Sequence, residues 1–158
     1  MTEHLLAFST VRRTALGLLT ALLLSACATP SARKACPSGP EVRADMLHGV
    51  WQVHMAGMSA PWTLHLGPHP EHTGSLRGEL VQGLQRWPVV ADVDDGEFTL
   101  EESRDGLRIS ATWLGTPAAG HCGRLIEGHR YEKDQKGQSF RLVLTQNTGP
   151  QTPSAPVH

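Results

Sequence analysis

The sequence predicts an all-β domain between residues 45 and 146, a small antiparallel up-and-down barrel of about eight strands. Apolar and polar residues alternate repeatedly over this region, turn signals recur every 8–12 positions or so, and no stretch inside it carries a 3.6-residue period. The sixteen Gly and eleven Pro favour many short elements joined by tight turns over long helices. Consecutive short strands of this kind lose their exposed edges when the sheet closes on itself.

Each strand is marked by residues of one parity. Leu47, Gly49, Trp51, Val53 and Met55 define the inner face of the first, Trp62, Leu64 and Leu66 the second, and Leu76, Gly78 and Leu80 the third. Trp87, Val89, Ala91 and Val93 form a fourth, which Asp94-Asp95-Gly96 turns into Phe98 and Leu100. Arg104-Asp105-Gly106 then leads into a sixth strand carrying Leu107, Ile109, Ala111 and Trp113. Cys122–Tyr131 is the seventh, and Phe140, Leu142 and Leu144 mark the eighth. All four tryptophans fall on inner faces, so the expected barrel is filled largely by its own side chains.

The N-terminus has a different character. Arg12 and Arg13 precede the apolar run 14–24, too short for the roughly 20 apolar residues of a membrane-spanning helix but ordered like a secretory signal. Leu24-Ser25-Ala26-Cys27 closes it and resembles the processing box of bacterial lipoproteins. That resemblance implies removal of residues 1–26, acylation of Cys27, and stable anchoring by several acyl chains. Ala28 stands where Asp would often signal inner-membrane retention, so the resemblance implies an outer-membrane lipid anchor, with the domain facing the periplasm or the surface. The alternative is an ordinary cleaved signal that precedes a cysteine. Residues 27–44 read as a lipidated N-terminus and tether, and 147–158 as a disordered tail.

The formal net charge of the chain is −1; removal of residues 1–26 takes Arg12, Arg13 and Glu3 and leaves 12 basic against 14 acidic residues. Such a balance argues against nucleic acid as a partner. Three Cys is an odd count for an exported chain. With Cys27 acylated, Cys36 and Cys122 are left to pair in an oxidising compartment. The rival reading makes Cys122 a nucleophile, but neighbouring residues on a strand face opposite ways, which places His121 poorly as its base.

Gly49-Val50-Trp51 resembles the Gly-x-Trp motif of lipocalins and related calycins, in which the Trp closes one barrel end and a late Arg packs across it. The resemblance implies barrel-closing roles for Gly49, Trp51 and either Arg141 or Arg130; Arg141 has the opposite parity to Phe140 and Leu142. The domain is also similar to the small periplasmic barrel inhibitors of metalloproteases, which open with Gly-x-Trp and carry a disulfide. Those inhibitors block the protease with an N-terminal segment, which a lipid at Cys27 would tie down. The hairpin region 74–80 resembles avidins, whose biotin sites use a Tyr-containing polar network, whereas this chain has one tyrosine, Tyr131.

Few constellations suggest chemistry. His65, His69 and His72 with Glu71 form the densest run of metal-ligand types, against the plainer reading of a hairpin loop that contains histidines. Asp92–Glu97 fails the calcium-loop pattern, because Gly96 and Ser103 stand where position 5 and position 12 fall. Glu101, Glu102 and Asp105 read as a solvated acidic rim. No nucleophile elbow, phosphate loop or His-Glu-x-x-His occurs. The expectation is a cofactor-free, non-catalytic binding module of the cell envelope. It would take a small apolar ligand or an envelope protein, with inhibition of an extracytoplasmic protease or other hydrolase as the alternative.

Overall fold

A computed structural model describes residues 36–149. The processing box with Cys27, residues 28–35 of the tether and residues 150–158 of the tail lie outside the described residues. Two short 3-10 turns, Gly39–Glu41 and Ala44–Leu47, lead into eight strands: β1 Gly49–Met55, β2 Trp62–Pro68, β3 Leu76–Gln82, β4 Gln85–Asp94, β5 Glu97–Glu102, β6 Ala111–Pro117, β7 Leu125–Glu132 and β8 Gln138–Asn147. Each strand pairs antiparallel with the next, and β1 pairs with β8, so the sheet closes into a barrel in sequence order. Closure leaves no edge strand to recruit another chain.

Period-2 alternation decides what faces inward. All four tryptophans are buried, with Phe98, Phe140 and the Leu and Val residues of the same parity. The interior is thus occupied by a continuous apolar cluster that runs from Val42 to Leu144.

The two barrel ends differ. At the first, the 3-10 turns lie across the opening and bury Val42, Ala44 and Leu47. Trp51 donates its indole N–H to the Leu47 carbonyl at 3.0 Å, which fixes the second turn over the barrel. Cys36 and Cys122 are joined as a disulfide with Cα atoms 4.5 Å apart, tying the entering chain to the β6–β7 loop. Two glycines let that segment sit close. A Cβ on Gly96 would meet the Gly39 carbonyl carbon at 3.0 Å, and one on Gly123 would meet Val42 at 3.3 Å. Asp95 and Gly96 both have positive φ, as the tight Asp-Gly hairpin requires.

Gly49 occupies a position that a side chain could not. The β1–β8 register shifts between Val50 and Trp51, Gly49 has φ of 155°, and a Cβ there would collide with the Gln146 carbonyl. Gly49 and Trp51 both lie toward the end that the 3-10 turns cover, the sealed end.

Three expectations about strand bounds and barrel closure differ from the structure. Leu107 and Ile109 do not begin the sixth strand, which starts at Ala111. They sit in the β5–β6 loop and are 89% and 58% exposed. The seventh strand starts at Leu125, because Cys122 takes a positive φ of 52° inside a turn. Arg141 does not close the barrel; its side chain is 59% exposed and pairs with Glu127 on the outer face.

Candidate functional site

The second end of the barrel, opposite the 3-10 turns, is where charge enters the interior. Glu102 is the last residue of β5 and shares the inward parity of Phe98 and Leu100. Its side chain is fully buried, and so, at 5% exposure, is that of Arg130 on β7. The reading of Glu102 as part of a solvated rim is therefore wrong, while Glu101 and Asp105 are exposed as expected.

Arg130 meets Glu102 in a forked geometry, Nε donating to Oε2 at 3.0 Å and Nη2 to Oε1 at 3.1 Å. Trp113 adds its indole N–H to Oε2 at 3.3 Å, and Arg104 donates Nε to Oε1 at 3.2 Å. Glu132 completes the cluster, with Oε1 2.7 Å from an Nη2 nitrogen of both Arg104 and Arg130. Two guanidiniums thus balance two carboxylates. Hydrogen bonding from Arg130, reinforced by the charges of Arg130 and Arg104, holds the Glu132 carboxyl below the usual carboxylate range against partial burial. The arginines also lie over indoles: Arg130 over Trp113 at 5.5 Å and Trp62 at 6.0 Å, Arg104 over Trp87 at 5.8 Å. Arg130 is the one buried arginine among the described residues, placed at the end away from Trp51.

This cluster is the footing of the loop 103–110. Arg104 ties the loop's first turn to Glu102 and Glu132, and Ser110 returns to the Glu102 carbonyl through both its N–H (2.7 Å) and its hydroxyl (2.9 Å). At the tip, Asp105 Oδ1 accepts the N–H groups of Leu107 (2.9 Å) and Arg108 (2.8 Å). Those backbone bonds, with the Arg108 side chain, push the Asp105 carboxyl far below its ordinary value. A side chain that captures backbone donors in this way replaces the ladder that Leu107 and Ile109 would otherwise join. What results is a fixed loop that holds two apolar side chains in water.

Beside it runs an open groove of about 220 Å³, with Pro88 and Val90 on the barrel wall, Leu107 and Ile109 on the loop, and Arg77 and Glu101 along its length. Val90, Leu107 and Ile109 are all exposed large hydrophobics.

No family model and no curated protein matches this chain.

The histidine run lies at the other end of the barrel. His65 faces outward from β2, while His69 and His72 stack at 4.5 Å between ring centroids. His69 Nδ1 already accepts the N–H groups of Glu71 and His72, both at 3.1 Å. Among the described residues no group of three or more His, Cys, Asp or Glu converges on a metal position, so the proposed ligand set of His65, His69 and His72 is not assembled. One buried donor has no partner: the Trp62 indole N–H, among the described residues.

Proposed function

We propose that this chain is a lipid-anchored binding module of the cell envelope that engages a protein partner through the β5–β6 loop. The observation that carries the reading is the pairing of a side-chain-filled barrel with a fixed loop that exposes Leu107 and Ile109. A barrel that carries a small apolar ligand keeps its interior open; this one fills it with tryptophan, phenylalanine and leucine. Apolar side chains grouped on a projecting loop are the usual mark of a protein contact. The anchor belongs to the same reading. Eight residues separate Cys27 from Cys36, so acylation would hold the disulfide end, the sealed end, near the bilayer. The loop 103–110 leaves the barrel at the opposite end and would face away from the lipid.

Intact-mass measurement of the protein extracted from membranes tests the anchor: the expected product starts at acylated Cys27, and an unacylated Cys27 removes it. For the loop, a photo-crosslinking amino acid placed at Leu107 in living cells is expected to form a protein adduct that the same group at Leu84, a lone exposed apolar residue on the β3–β4 turn, does not form. Equal labelling from both sites would sink the reading.

The hydrogen bonds that brace the loop favour a second reading, inhibition of an extracytoplasmic hydrolase, since a projection ordered before binding loses little entropy on entering a cleft. A panel of purified envelope and secreted hydrolases, protease and non-protease, assayed with the soluble domain decides it. Unchanged rates throughout would dismiss inhibition.

A further inference from the structure

The groove beside the loop has a charge pattern that specifies its occupant. In the barrel wall Arg77 on β3 is registered with Val90 on β4, and Val90 with Glu101 on β5, so cation, apolar residue and anion form one outward row across three strands. Neighbouring strands are about 4.8 Å apart, which puts the two charges roughly 10 Å from each other with Val90 between them. Arg77 makes no ion pair among the described residues, in contrast to Arg86, which is held by Glu79, and Arg141, which is held by Glu127. Arg108 stands on the loop side; Asp105 takes its Nε, and its two terminal nitrogens have no hydrogen-bond partner among the described residues. Leu107 and Ile109 wall the same groove, and His69 lies at its edge. Arg77 and Arg108 thus stand around an apolar floor with Glu101 as its exposed carboxylate, since the Glu102 carboxylate that also borders the groove is buried and paired with Arg130 and Arg104.

We infer that this groove takes a short extended segment of a partner protein carrying an apolar side chain next to an acidic one. The apolar side chain packs between Val90, Leu107 and Ile109, and the carboxylate meets the Arg77 guanidinium, with Arg108 as the second cation. The groove volume of about 220 Å³ suits one or two side chains rather than a folded surface. Forked guanidinium–carboxylate contact supplies direction, and the apolar contact excludes water around it. The inference rests on the protein-binding reading and narrows it to a segment of stated chemistry.

A random peptide library displayed on phage, selected against the disulfide-bonded domain, tests the segment. Enriched peptides are expected to place Asp or Glu within two positions of Leu, Ile, Val or Phe. Binding of a synthetic enriched peptide should weaken about tenfold or more in Arg77→Glu and in Leu107→Ser, and stay unchanged in Arg141→Glu on another part of the wall. All three positions are exposed, and the thermal midpoint of each variant verifies folding. Enrichment without acidic residues, or binding indifferent to Arg77→Glu, overturns the inference, as does failure to enrich any peptide over the Leu107→Ser bait. The crosslink from Leu107 separates the two levels. An adduct in cells together with a failed selection leaves protein binding standing and removes the acidic segment, whereas loss of the adduct removes both.

Discussion

Glu102 sits wholly out of water, and its charge is tolerable only because Arg130, Arg104 and Trp113 occupy its oxygens. Replacing Arg130 with Leu would leave that carboxylate buried beside a single half-exposed arginine. A cost of about 3–5 kcal/mol in urea unfolding is expected, and the double change Glu102→Leu with Arg130→Leu should recover part of it, because no charge is then stranded. If the double variant is no more stable than Arg130→Leu, the cluster works through packing instead. Trp62 offers a contrast. Its indole N–H is buried without a partner, so Trp62→Phe removes an unsatisfied donor along with some packing, whereas Trp113→Phe breaks a bond to Glu102. Trp62→Phe is expected to be the milder of the two, and the reverse order in urea midpoints would contradict this. The same cluster sets an acid limit. Glu132 has its folded pKa below its ordinary 4.5, chiefly through the Arg130 hydrogen bond, so it binds a proton less readily folded than unfolded. Its stabilisation is complete above about pH 4.5 and is lost as pH falls toward and through the lowered folded value. Glu132→Gln should therefore flatten the fall in stability between neutral pH and acid, as read from urea midpoints across that range.

At the scale of the element, inner and outer faces are legible in the sequence because a strand in a filled barrel reports burial at every second residue. The same parity carries the signal for the ion cluster. Glu102 continues Phe98 and Leu100, and Arg130 continues Ile126 and Gly128, so parity alone assigns both an inward position. Grouping Glu102 with its exposed neighbours Glu101 and Asp105 hides that parity. The β5–β6 loop is hidden for a different reason. Leu107, Ile109 and Ala111 alternate like a strand, yet Asp105 captures the Leu107 and Arg108 N–H groups and Gly106 takes φ of 72°. Alternation records side chains and is blind to a competing acceptor for the backbone. Asp105→Ala follows as a test of the loop: it releases two backbone donors at an exposed site, so faster amide exchange at Leu107 and Arg108 is expected with the barrel strands unaffected. Exchange unchanged at those two amides would mean that other contacts fix the loop. The groove is half legible: the two-residue turns 83–84 and 95–96 set the register that aligns Arg77, Val90 and Glu101, but the alternation does not show that the loop 103–110 lies beside that row.

Across the whole molecule the Cys36–Cys122 bond and the sealed end act together. The bond spans 86 positions and encloses β1 to β6, so oxidation removes much of the freedom of the unfolded chain. On the loop-entropy account this amounts to roughly 4 kcal/mol, before any native-state strain is subtracted. Other native contacts at that end accompany the bond. Val42, Ala44 and Leu47 are buried against the barrel, and Trp51 holds the Leu47 carbonyl. The reduced barrel should thus remain closed and packed while becoming easier to unfold. Cys36→Ser with Cys122→Ser is expected to lower the urea midpoint with the near-ultraviolet signal of the four tryptophans intact. A lost tryptophan signal at low urea would show instead that the bond is needed to seat the 3-10 turns. An unchanged midpoint would show that the loop-entropy account does not hold for this chain. Because the bond lies at the end away from the β5–β6 loop, peptide binding to the groove should survive in the double serine variant under conditions where it stays folded. Loss of binding there would mean that the two ends of the barrel are coupled through its packed interior.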